Sequence, residues 1–221
     1  MSRITVKGQT VYGVKPIVTD GLVVYYDAAN IKSYVSPSTS LSNLVNSSPI
    51  ATLYNGVTFN SSNGGSIVFD GTNDYCSFSY NWGTNFSVNV WVYPISYISD
   101  YARILGTISY GFEIAIGLTG MVKYYNPWTD TGIIASINQW KNLTFVKNGS
   151  TMKVYSNGSL LYTGTISVSS GGTVYLCSNF LTTEWSNIRM SNFSIYNKSL
   201  TDSEVLQNYN ALKGRFGLWA V

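Results

Sequence analysis

The segment 124–130, Tyr-Tyr-Asn-Pro-Trp-Thr-Asp, is the best single candidate for recognition chemistry in this chain of 221 residues. Aromatic rings offer flat apolar faces to the C–H side of a sugar, while nearby amides and carboxylates can hold its hydroxyls. Tyr124, Tyr125, Asn126, Trp128 and Asp130 supply both kinds of group, with Tyr97 and Tyr101 a short way upstream. Trp82 and Trp185 add rings beside other predicted loops. The same residues could equally form contacts between protein subunits, because Tyr and Trp suit both kinds of surface. Trp91 and Trp140 fall within predicted strands and read as core or sheet-face residues.

Acid–base chemistry finds less support. Cleaving a glycosidic bond takes two carboxylates flanking it, and on one strand the partner must lie two or four residues away to share a face. Glu113, in GFEIAIG, is the carboxylate best placed on a strand, but positions 115 and 117 are Ala and Gly. Glu184 and Asp130 stand alone in predicted loops. The chain has no histidine, the commonest general base, so a serine nucleophile would lack its activating partner. The expectation is a protein without catalytic residues.

Bulk properties narrow the classes further. Charged residues make up 10% of the chain, against roughly 25% for an average globular protein. The net charge is +3, of which Arg3, Lys7 and Lys15 less Asp20 place +2 in residues 1–20 and leave +1 for the rest. No basic stripe with interleaved aromatics appears, so nucleic acid is not expected as a partner. No run approaches the roughly 18 apolar residues of a membrane span, and no secretory signal opens the chain. Asn-x-Ser/Thr triplets at Asn46, Asn60, Asn85 and Asn142 follow from composition rather than glycosylation. Cys76 and Cys177 fall in predicted strands and read as two half-buried thiols or one disulfide.

The elements that must position these residues are mostly strands. Residues 139–165 read as three strands joined at Asn148-Gly149 and Asn157-Gly158, since Asn-Gly suits a hairpin turn that needs positive φ at both central residues. Leu143, Phe145, Met152, Val154, Leu160 and Tyr162 alternate along them. Further strands are expected at 4–7, 10–14, 51–53, 57–59, 66–70, 75–79, 86–93 (ended by Pro94), 103–108, 112–117 and 121–125, with a Ser- and Pro-rich loop at 31–49. Many short strands without intervening helices point to an all-β, antiparallel β-sandwich. One short C-terminal helix is expected over about 201–213, where Thr201-Asp-Ser-Glu204 forms a capping box, Leu200 and Val205 a hydrophobic staple, and Gly214 the exit. Residues 215–221 form an apolar tail.

Several stretches carry a family resemblance: GLVVYYDAAN, SIVFDGTNDYCSF, FSVNVWVYP, the hairpin VYSNG, and WSNIRMSNFSIYNKSLTDSEVLQNY. Together they resemble the laminin-G-like group of concanavalin-A-like jelly rolls over about residues 21–213. The opening arm and the ending NALKGRFGL are similar to virion proteins of tailed, myovirus-type phages. The resemblance implies a capsid-decorating or tail-associated subunit in a symmetric array, made in the host cytoplasm. It would dock on other virion proteins through an arm at 1–20 (Arg3, Ile4, Val6, Lys7, Val11, Tyr12, Lys15) and the tail (Phe216, Leu218, Trp219), whose apolar side chains would bury against a neighbour or against the domain's own base. The alternative is an adhesin that binds host polysaccharide through its loop-rim aromatics. The resemblance also implies a candidate Ca2+ site at Asp70, Asn73 and Asp74; otherwise these side chains close a local turn, as Asp27 and Asn30 would. Asp100 and Asp130 could share a rim only if the fold brings them together.

Overall fold

The computed structural model describes residues 15–107, 111–125, 127–167, 172–179 and 183–218, together with the backbone of 3–6 and 9–12. Strands are numbered in chain order. One eight-stranded sheet runs, edge to edge, β13 (Thr129–Ile134), β12 (Met121–Tyr125), β11 (Glu113–Ile116), β10 (Ala102–Thr107), β17 (Gly172–Leu176), β8 (Tyr75–Tyr80), β5 (Ala51–Tyr54) and β4 (Ser40–Leu41). The facing sheet runs β16 (Ser159–Thr165), β15 (Thr151–Ser156), β14 (Lys141–Asn148), β9 (Phe86–Ser96), β18 (Asn187–Tyr196), β7 (Ser66–Asp70) and β6 (Thr58–Asn60), with β3 (Leu22–Asp27) paired to the second half of β18. All paired strands are antiparallel, so the expected all-β sandwich is what forms.

Alternation within the strands builds the core. Val88, Val90 and Val92 of β9, Leu143 and Phe145 of β14, and Phe193 and Ile195 of β18 meet Ile104, Ile114, Val122, Val174 and Phe78 from the other sheet. The hairpin turn at Asn157-Gly158 has positive φ at both residues, 51° and 80°, as its sequence predicts. The first turn shifts by one residue: Asn148 pairs with Thr151, so Gly149 and Ser150 are central and Gly149 takes the positive φ. A bulge pairs Val154 with Tyr162 but Tyr155 with Leu160, which turns Leu160 outward against its expected inward place. Pro94 does not end β9. The strand continues to Ser96, with Pro94 beside a register shift against β18 and its carbonyl accepting from the Asn138 amide at 2.8 Å, the setting in which a strand tolerates proline.

The two sheets differ in what covers their outer faces. Helix α1 (Asp202–Leu212) lies over the second sheet, with its capping box formed in full. Leu200 and Val205 pack with Val18, Val146, Tyr155 and Tyr196, the staple contact included. A 3₁₀ turn follows at Lys213–Phe216, and the left-handed residue is Gly217 rather than Gly214. Phe216 stacks on Trp91 at 4.1 Å and meets Trp140 at 4.6 Å. It is buried against the domain's own sheet, the second of the two placements open to the tail, where burying the ring is worth about 2 kcal/mol, so this side chain is not free to dock on a partner. Leu218 packs at the margin of the same cluster, and Trp219 lies outside the described residues. Trp140 sits just before β14 rather than within a strand. Cys76 and Cys177 are free and buried, and burial raises both thiol pKa values.

The N-terminal arm divides in two. β1 (Arg3–Val6) and β2 (Gln9–Tyr12) make a hairpin that joins neither sandwich sheet. The side chains proposed there (Arg3, Ile4, Val6, Lys7, Val11, Tyr12) lie outside the described residues, and Lys15 is exposed. From Pro16 onward the arm belongs to the sandwich: Val18 is buried, its amide donates to Asn208 Oδ1 at 2.8 Å, and its carbonyl accepts from the Tyr196 hydroxyl at 3.0 Å.

Candidate functional site

Helix α1 covers one sheet, and strand alternation says what the outer face of the other carries. Arg103, Ala115, Lys123 and Asp130 sit opposite one another on β10, β11, β12 and β13, and Glu113 sits opposite Tyr125 on the next rung. Ala115 is the small residue in this row, and Lys123 passes over Gly117, where an added Cβ would lie 3.0 Å from its Cε. Arg103 is buried although it carries a charge, so its donors must be satisfied. Its Nε donates to Glu113 Oε2 at 3.1 Å, its Nη1 to the Tyr101 carbonyl at 2.6 Å, and its Nη2 pairs with Glu184 Oε2 at 2.8 Å. Trp128 closes over the guanidinium with the ring centroid 4.5 Å away.

Glu184 is brought to this centre from far along the chain. It holds a left-handed φ of 55°, which costs a non-glycine residue energy. Its carbonyl accepts from the Arg103 amide at 2.9 Å, and its carboxylate accepts from Asn179 Nδ2 at 2.9 Å. Glu113 is fully buried. Burial raises its pKa, and the Glu184 charge adds to this, while Arg103 and the Thr107 amide oppose without cancelling it.

A second charge centre lies beside the first. Lys123 Nζ is 3.0 Å from Asp100 Oδ2 and 3.6 Å from Asp130 Oδ1, and it lies 5.0 Å from the Tyr101 ring. The fold therefore does bring Asp100 and Asp130 to one rim, around a lysine ammonium. The Asp100 pKa is lowered, first by the hydrogen bond from Lys123. Burial alone would lower the Lys123 pKa, but its two carboxylates outweigh that and raise it.

Above these ions stands an aromatic group. Trp128 contacts Tyr101 at 5.1 Å and Tyr125 at 5.2 Å, and all three rings are half-buried. One side of Trp128 is braced by Arg103, so the indole is held in place without further ligand. The arrangement can stack against an apolar ring face, and Asp100 and Asp130, 49% and 64% exposed, can accept hydrogen bonds from hydroxyls.

Of the sequence candidates, Tyr101, Tyr125, Trp128 and Asp130 converge here, while Asn126 lies outside the described residues. Tyr124 is corrected: it is fully buried, on the core side of β12, with its hydroxyl bonded to the Thr165 carbonyl at 3.1 Å. Neighbouring strand residues point to opposite faces, so Tyr124 and Tyr125 cannot share one. Tyr97 packs at the core margin, its hydroxyl donating to the Ala135 carbonyl and accepting from the Ile137 amide. Trp82 is buried among Tyr80, Phe86 and Phe112. Trp185 is half-buried and follows Glu184.

Glu184 and Asp130 do not stand alone in loops, as their sequence setting suggests: Glu184 joins Glu113 on one guanidinium, and Asp130 lies on β13 beside Lys123. An acid and a nucleophile must both face the substrate, whereas here an arginine stands between the two glutamates and Glu113 has no exposed surface. The candidate cation ligands are engaged as well. Asp70 Oδ1 accepts from the Thr72 amide at 2.7 Å and Asp74 Oδ2 from the Asp70 amide at 3.2 Å, which closes the turn, and Asn73 offers its carbonyl to Asn55 Nδ2. No group of three acidic, Cys or His residues with metal-binding geometry occurs among the described residues. Asp27 and Asn30 bond the turn amides of Ala29 and Lys32. Sequence reasoning missed Arg103, whose signal was a charged residue inside the apolar strand ARILG.

A family model described as the concanavalin A-like lectin/glucanases superfamily matches residues 70–206. No curated protein matches the sequence. Among solved structures, domain 4 of AbnA, a GH43 extracellular arabinanase from Geobacillus stearothermophilus, in complex with arabinotriose, has a TM-score of 0.68 at 19% identity; the match covers 85% of this chain and 98% of that one. The botulinum neurotoxin serotype D binding domain has a TM-score of 0.66 at 18% identity, with 86% and 51% covered. Trypanosoma rangeli sialidase in complex with sialic acid has a TM-score of 0.70 at 13% identity, with 97% and 36% covered. At these identities the likeness is one of fold.

Proposed function

The chain belongs to the concanavalin A-like lectin/glucanases superfamily, and on that premise we propose that it is a non-catalytic carbohydrate-binding domain whose ligand sits on the open sheet face around Trp128. The observation that carries this reading is the half-buried Trp128–Tyr101–Tyr125 group, braced by Arg103 and flanked by two exposed carboxylates. Rings held rigidly before the ligand arrives lose little freedom on binding. The likeness of fold to an arabinanase domain seen with arabinotriose supports a neutral saccharide as the first ligand to try. Calorimetry with arabinotriose and other neutral oligosaccharides tests the proposal. Trp128→Ala should weaken binding at least about tenfold with the fold retained. Binding that is indifferent to Trp128 would move the site elsewhere. Cleavage of a bound glycan, lost in Glu113→Gln, would overturn the non-catalytic part.

The hairpin of β1 and β2 favours a second, compatible role. It stands outside both sandwich sheets, and a two-stranded hairpin is marginally stable by itself. Its open edges could add to the sheet of a partner through main-chain hydrogen bonds. With the sequence resemblance to virion proteins of tailed phages, this supports a subunit mounted on a virion through its N-terminal arm, displaying the glycan-binding face outward.

A further inference from the structure

The open face continues past the Trp128 group into a second aromatic area. On β5, β8 and β17 the outward positions include Tyr54, Tyr75 and Tyr175 with Thr52, Ser77 and Thr173, and none of these is charged. Tyr54 and Tyr75 stack at 4.5 Å and 11°, and Tyr175 leans against Tyr75 at 6.2 Å and 46°. All three are half-buried and outside the hydrophobic core, and their hydroxyls make no hydrogen bond among the described residues. A stripe of three phenols with unpaired hydroxyls has no structural need that the sandwich itself supplies. Ser178 and Asn179 pass directly over Gly106, where the Ser178 carbonyl would lie 2.5 Å from an added Cβ, and so separate this strip from the Arg103 centre. Gly106 pairs with Tyr175, and Arg103 lies three residues along β10, which puts the two areas about 11 Å apart from strand geometry.

We infer that Tyr54, Tyr75 and Tyr175 form a second saccharide subsite, which binds a neutral polysaccharide at a point distinct from Trp128. The chemistry selects the ligand: rings for the C–H faces of sugars, hydroxyls on both sides, and no cation among the outward strand positions to pair with an ionised one. This inference rests on the reading of the domain as a carbohydrate binder, and it adds that the ligand is a polymer held at two points. Two weak subsites on one chain of sugars reinforce each other through effective concentration.

Native gels containing linear arabinan or a neutral β-glucan, with polysialic acid as the anionic control, separate the cases. The full chain should be retarded by a neutral polymer and not by polysialic acid. Tyr75→Ala and Trp128→Ala should each weaken that retardation about tenfold, and the double variant should abolish it. Tyr175→Ser serves as a second variant should Tyr75→Ala melt early. Wild-type retardation by Tyr75→Ala and Tyr175→Ser, with Trp128→Ala impaired, would remove the second subsite and leave the proposed function standing. No retardation of the wild type by any neutral polymer would remove both. A dimer that becomes a monomer in Tyr75→Ala, measured by sedimentation, would make the strip a contact between copies and overturn the inference.

Discussion

Arg215 shows how much of this molecule is organised by single side chains reaching across the chain. Its Nη1 donates to Asp27 Oδ1 at 2.8 Å, its Nε to the Asn63 carbonyl at 2.7 Å, and its Nη2 to the Gly65 carbonyl at 2.9 Å and to Ser191 Oγ. Asn63 returns a bond to the Arg215 carbonyl and accepts from Trp140 Nε1. This clamp seats Phe216 on Trp91. Arg215→Leu leaves a nearly buried Asp27 carboxylate without its cation, and should cost about 2–3 kcal/mol, or roughly 5–10 °C in Tm for a chain of this size. A melt within 2 °C of wild type would show that the clamp is dispensable. Arg103 plays the corresponding part on the open face. Neither arginine could be placed from sequence, because Glu184 and Asp27 are each remote from the arginine they meet. The same limit hid the tyrosine strip, whose rings come from positions 54, 75 and 175. Trp128 and Asp130 were legible because a short aromatic–acidic segment carries its own signal.

Among the elements, those read correctly from sequence are those whose determinants are local. The capping box of α1 needs four consecutive residues, and both of its bonds form: Glu204 N donates to Thr201 Oγ1 and Thr201 N to Glu204 Oε2. Thr201→Ala should therefore cost about 1 kcal/mol. Burial alone would raise the Glu204 pKa, but Lys198 and the Thr201 bonds outweigh it and hold the carboxyl below its usual 4.5. A depressed carboxyl stabilises the fold above its unfolded pKa and loses that contribution as pH falls through the folded value. The Tm gap between wild type and Glu204→Gln should accordingly be open at pH 7 and close below pH 4.5; an equal gap at pH 3 would contradict this. The shifted turn at Gly149, the outward Leu160 and the continuation of β9 through Pro94 were illegible for a different reason. Each is a register choice, made by a neighbouring strand rather than by the strand's own sequence.

At the scale of the whole molecule, the two outer faces are put to different uses. Helix α1, the 3₁₀ turn and residues 16–20 cover one sheet with apolar and hydrogen-bonded contacts, and the outer side of the other carries half-buried aromatic rings over the buried Arg103, Glu113 and Lys123. The hairpin at 3–12 belongs to neither, which makes a clean deletion available. Removing residues 1–20 would strip Val18 from beneath α1 and confuse docking with folding. Removing 1–14 leaves the Val18, Asn208 and Tyr196 contacts intact, so stability should stay within about 0.5 kcal/mol of the full chain and neutral-glycan binding should be unchanged. On the proposed mounting of the domain through its arm, the shortened protein expressed in place of the full chain during particle assembly should be missing from purified virions. Its presence there at full occupancy would mean that the sandwich itself, and not the hairpin, makes the attachment. The exposed aliphatics between residues 31 and 50, Ile31, Val35, Val45 and Ile50, would then be the side chains to alter next, because exposed aliphatic groups concentrated in one segment are candidates for contact with a partner.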